Sequence, residues 1–74
     1  EMDLFEKLRA CRKDFADELG VPPYMIFHDS TLQEMCVQKP ATLEEMGEIS
    51  GVGDKKLERY GPAFLHALLE HSGA

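Results

Sequence analysis

Apolar residues recur at helical spacing along this 74-residue chain and nowhere alternate with period two, so its segments can bury a stripe of a helix but not the face of a sheet. Leu4, Leu8, Cys11, Phe15 and Leu19 follow one another at steps of three and four, one face of a first helix from Asp3 to Leu19. Gly20 suits its C-terminal cap, and Pro22-Pro23 keeps a helix from restarting. Val21 to His28 is apolar but broken by the prolines, which reads as a loop or short 3₁₀ turn on the core. Asp29 or Ser30 can cap a second helix, with Leu32, Met35 and Cys36 on one face to about Lys39 and Pro40 as its stop. Thr42 with Glu45 fits a capping box opening a short third helix to about Glu48. After the tight turn Ile49-Ser50-Gly51-Val52-Gly53, Asp54 caps a fourth helix carrying Leu57 and Tyr60. Gly61-Pro62 then separates it from a fifth, with Phe64, Leu65, Leu68 and Leu69, to about His71. The expectation is an all-α fold, a small compact five-helix orthogonal bundle, with residues 1–74 forming a single domain.

At 8.3 kDa such a domain buries only about 60% of its unfolded surface, so its stability should be modest. No stretch approaches the ~20 apolar residues of a membrane span, and none reads as a signal peptide. We expect no membrane partner, a monomer, a cytoplasmic location and, with Glu1 in place of a starting Met, a fragment of a longer protein. Cys11 and Cys36 lie 25 positions apart on apolar stripes and read as small buried hydrophobes in a reducing compartment. His28, His66 and His71 have no ligand spacing, so neither a metal nor another cofactor is expected. Phosphate-binding, nucleophile-elbow and zinc-protease motifs are all missing, and the adjacent Glu44-Glu45 diverge on a helix; no catalytic residue is expected.

Net charge is −6, which by itself argues against nucleic acid, yet the charge is polarised along the chain. Lys7, Arg9, Arg12 and Lys13 fall in one cluster, Lys55, Lys56 and Arg59 in another, while positions 29 to 48 hold five acids and only Lys39. Thr42 to Tyr60 resembles a helix-hairpin-helix: Gly51 and Gly53 let backbone approach a phosphate, the following helix offers free N–H groups, and Lys55, Lys56 and Arg59 add charge. The alternative is a bare helix-helix turn whose glycines serve conformation and packing alone, and Asp54 at its mouth opposes a phosphate. On the first helix, Arg9, Arg12 and Lys13 share a flank of the apolar stripe, a candidate basic ridge blunted by Asp17; Lys7 lies on the other flank, four residues from Asp3 as an ion-pair partner. Tyr24 follows two prolines, either presented for base stacking or packed on the core with Met25, Ile26 and Phe27.

Leu4 to His71 resembles an HRDC domain, the helicase and RNase D C-terminal module, in the form found in bacterial RecQ-type DNA helicases. The resemblance rests on Phe5-Glu6-Lys7-Leu8-Arg9, Ala16-Asp17-Glu18, Val21-Pro22-Pro23-Tyr24 with Phe27, Asp29-Ser30-Thr31-Leu32, Gly51-Val52-Gly53 and Lys56-Leu57-Glu58-Arg59-Tyr60-Gly61. It implies a non-catalytic accessory domain of an ATP-dependent DNA helicase that binds single-stranded or junction DNA weakly and tunes substrate selection. An aromatic matching Tyr24 and nearby basic residues serve that binding in family members. Against the family's strong binders, Ala10 and Asp14 interrupt the basic run of the first helix. The same resemblance leaves room for an acidic module that docks on the helicase core or another protein, and for RNA binding in an RNase D-type nuclease.

Overall fold

The computed structural model describes residues 3–72. Four α-helices follow one another: α1 (Leu4–Leu19), α2 (Asp29–Gln38), α3 (Leu43–Met46) and α4 (Asp54–Ser72), with a 3₁₀ turn at Pro23–Met25 between the first two. The fold is all-α, and among the described residues no strand forms.

The caps are set locally. Asp3 accepts the Glu6 N–H at 2.8 Å to start α1, and Gly20 ends it at φ 69°, in the left-handed region that a residue without Cβ adopts at little cost. Thr42 accepts the Glu45 N–H at 3.1 Å, while the Glu45 carboxylate reaches back to the Ala41 N–H at 2.8 Å, a capping box displaced by one residue on its return arm. Two expected caps are replaced. His28, without a side-chain hydrogen bond, flanks α2, and Asp29 is already helical. At α4 the helix begins with Asp54 itself, and the Leu57 N–H bonds the Gly53 carbonyl at 2.8 Å.

The expected fourth and fifth helices are one, because Pro62 lies inside α4. Proline removes a donor, clashes with the carbonyl four residues back and crowds the N–H and Cβ of the residue before it. Here that residue is Gly61. A Cβ on it would stand 2.9 Å from Leu57 Cδ1 and 3.2 Å from Leu43 Cδ2, so the same glycine that tolerates the proline also lets α3 approach α4. Phe64, Ala67 and Leu68 beyond the proline share the core with Leu8, Phe27, Leu32, Met35 and Met46. Phe27 meets Phe64 edge-on at 5.0 Å between centroids, and Phe15 meets Tyr60 at 4.9 Å.

The buried row of α1 is Leu4, Leu8, Arg12 and Ala16, at steps of four. It is turned away from the apolar stripe toward Arg12, leaving Cys11 and Phe15 half-buried and Leu19 exposed. Cys36 is likewise half-buried beside the core, and both thiols are free.

Candidate nucleic-acid interface

Rigid backbone opens the link after α1. Pro22 is extended, and the Met25 and Ile26 N–H groups close one 3₁₀ turn on the Pro22 and Pro23 carbonyls, each at 3.0 Å. Ile26 and Phe27 then enter the core, which leaves Tyr24 58% exposed and Met25 52% exposed. Tyr24 is therefore on the surface, and its ring stacks on His28 with centroids 6.0 Å apart and planes at 29°. His28 escaped the sequence reading. Its only sequence signal was its place four residues after Tyr24 in an aromatic-rich link.

Arg12 fixes the other end of that link. Its guanidinium donates to the Phe27 carbonyl at 3.0 Å and pairs with Asp29 at 2.7 Å, and only 8% of the residue is exposed. The expected ridge of Arg9, Arg12 and Lys13 thus loses its middle member: Arg12 lies under the surface, holding the link against α1. The two outer members are engaged as well. Arg9 lies 3.4 Å from Glu6, and Lys13 lies 2.7 Å from Asp17, whose hydrogen bond and charge push the Lys13 ammonium above the usual lysine range. Lys7 pairs with Glu70 of α4, not with Asp3, and Glu70 is held below the usual carboxylate range by that hydrogen bond and charge.

Lys55, Lys56 and Arg59, at the start of α4, contrast with these. Among the described residues none of the three has an ion-pair partner. Lys56 Nζ lies 5.8 Å over the buried Phe27 ring, a cation–π contact that leaves its charge uncancelled. Together with Leu19, Val21, Met25, Ile26 and Tyr60 they line a groove that, among the described residues, has no acidic side chain in its lining.

The hairpin divides its two glycines. Gly51 has φ 90°, and a Cβ there would lie 2.3 Å from Thr31 Oγ1, so its close approach is to α2. Thr31 donates to the Ser50 carbonyl at 3.1 Å, and the Ser50 N–H donates to the Glu34 carboxylate at 3.2 Å. Gly53 faces open space. On the acidic side, Glu34, Glu45 and Glu48 line a separate groove with Gln38, Pro40 and Ile49.

Burial and Asp14 push the Cys11 thiol up to about 11, and burial first, then Asp3, raises Cys36. Among the described residues no group of three or more His, Cys, Asp or Glu side chains is placed to hold a metal, and no helix is long and apolar enough to cross a membrane.

Residues 1–68 match the family model of the HRDC domain. The chain is 48% identical over 71 residues to the ATP-dependent DNA helicase RecQ of Haemophilus influenzae, covering 96% of this chain and 12% of that protein. It is 44% identical over 71 residues to the ATP-dependent DNA helicase RecQ of Pasteurella multocida, with 96% and 11% covered. The chain therefore spans about an eighth or less of the length of these relatives. The solved HRDC domain 3 of the D. radiodurans RecQ superposes with a TM-score of 0.88 at 35% identity, over 92% of this chain and 90% of that one. With this all-helical fold and matches to bacterial RecQ helicases, the chain belongs to the HRDC domain family.

Proposed function

We propose that this domain is an accessory nucleic-acid-binding module of a RecQ-like DNA helicase, one that binds single-stranded or junction DNA weakly and biases which substrates the motor engages. The observation that supports it is the set of uncompensated cations at the start of α4, Lys55, Lys56 and Arg59. Tyr24 on its rigid link adds a ring on which a base can stack. Binding through cations to the sugar-phosphate backbone positions a strand without reading its sequence. Gly53, open at the head of α4, adds accessible backbone. Affinity is in the micromolar range or weaker, because a net charge of −6 repels phosphate.

Fluorescence anisotropy with a labelled single strand at low salt tests the reading. Tyr24→Ala should weaken binding by roughly 1–3 kcal/mol with an unchanged salt slope. Replacing Lys55 and Lys56 together by alanine should flatten the slope by up to about 0.7 per lost contact. A parent domain that stays unbound at several hundred micromolar ends the proposal, and an RNA strand in the same titration decides between DNA and RNA. A second reading, docking on the helicase core or another protein, draws on the groove lined by Glu34, Glu45 and Glu48. Chemical-shift changes with the helicase core and none with DNA would favour it.

A further inference from the structure

The groove beside the double-proline link sorts its lining by element. The cations Lys55, Lys56 and Arg59 all come from α4, while Leu19, Val21 and Met25 come from the end of α1 and the link. Leu19 is 49% exposed and Met25 52% exposed, so the apolar wall is open to a ligand. The groove holds about 540 Å³, within the range of small-ligand sites, which is ample for one flat heterocycle.

We propose that this groove seats one unstacked nucleobase of a single strand against Met25 and Leu19, while Lys55, Lys56 and Arg59 neutralise the phosphates beside it; the proposal rests on the nucleic-acid reading above. Charge complementarity selects the occupant. Its anionic edge must run along α4 and its flat apolar body must face the link, which is how phosphate and base are disposed on a nucleotide. Lys55 and Arg59 are four residues apart, so their side chains rise from one helix face about 6 Å apart, along a single rail. A thioether is a polarisable surface for an aromatic ring, so Met25 is the wall of the groove against which a flat base can lie. A duplex keeps its bases stacked and must spend a few kcal/mol to extrude one, so the groove makes the domain selective for unpaired strands.

Met25→Ser, Met25→Leu and the Lys55/Lys56 alanine pair, each in the intact domain, test this with labelled oligo(dT) and a labelled blunt duplex at low salt. Met25 is exposed, so melting should move by no more than a few degrees in either variant. Met25→Ser should lose about three- to tenfold on oligo(dT), the size of one sulfur–ring contact, with duplex binding and salt slope unchanged. Met25→Leu should recover most of the loss. The lysine pair should weaken both ligands. Met25→Ser binding oligo(dT) as the parent does, while the lysine pair is weakened, overturns the base seat and leaves the nucleic-acid reading standing. A parent that binds neither ligand overturns both. A parent that ignores oligo(dT) yet binds a Glu/Leu-rich peptide through Met25 assigns the groove to a protein partner and overturns the proposal too.

Discussion

The three-cation ridge of α1 and the three cations that open α4 look alike in the sequence and differ completely in the fold. On α1, Arg9, Arg12 and Lys13 are each held by a carboxylate: Glu6, Asp29 and Asp17. On α4, Lys55, Lys56 and Arg59 face a groove whose lining, among the described residues, contains no acid. Formal charge is the same in both places, but the charge available to an outside anion is not. A basic patch is therefore defined by which cations lack partners, and among the described residues three of the four unpaired ones stand together at the start of α4.

The largest expected effect breaks the α1 side of this comparison. Arg12→Ala removes a buried guanidinium, leaves the Phe27 carbonyl without its donor and opens a gap in the Leu4–Ala16 row. Asp29 is well exposed and can be rehydrated, which keeps the loss below that of a fully buried pair. We expect about 3 kcal/mol of destabilisation, or roughly 12–24 °C in melting temperature for a domain of this size. The Lys55/Lys56 alanine pair should leave melting within a few degrees of the parent. Thermal denaturation of both variants checks the contrast; equal melting temperatures would mean that Arg12 is as dispensable to the fold as a surface cation.

A similar contrast, smaller in size, runs through the hairpin. Gly51→Ala must place a Cβ against Thr31 at positive φ, and we expect a loss of about 2 kcal/mol. Gly53→Ala meets nothing within 4 Å and should leave stability nearly unchanged. Urea denaturation of the two separates packing from openness. Gly51 then belongs to the scaffold, set against Thr31 of α2 beside a Ser50 whose backbone bonds Thr31 and Glu34, and Gly53 to the accessible side.

Local signals were legible in the sequence because the partners that decide them are three or four residues away. The Thr42–Glu45 box, the Gly20 cap and the 3₁₀ turn after the prolines are of this kind. What the sequence concealed depends on elements distant along the chain. Arg12 reads as surface because a helical wheel ranks residues by polarity, and its burial follows from a carbonyl and a carboxylate 15 and 17 positions on. Gly61-Pro62 reads as a helix break because both are poor helix formers, whereas the missing Cβ of Gly61 eases the crowding by the proline and admits Leu43 of α3, a packing partner 18 positions back. Tyr24 and Phe27 are three residues apart and chemically alike, and only the path of the link decides which ring is buried.

Releasing a neutralised cation is the gentlest way to test whether pairing, rather than position, silences α1. Asp17→Asn removes the carboxylate 2.7 Å from Lys13, and both side chains are exposed, so stability should stay close to the parent's. The direction of the pH effect follows from the raised Lys13 ammonium. A pair that lifts a lysine adds stability at all pH values below the ordinary lysine range and loses it as pH rises through the shifted value, so at neutral pH the pair is intact in the parent. In the variant Lys13 keeps its proton at neutral pH and gains freedom to meet a phosphate. If α1 lies along the strand's path, single-strand affinity at low salt should rise about two- to threefold and the salt slope should steepen by up to about 0.7, the value of one added contact. Arg9, still beside Glu6, should contribute nothing new. An unchanged slope would show that α1 stands off the path altogether. The difference between the two clusters would then lie in where they face, and the groove between α4 and the double-proline link would carry the strand alone.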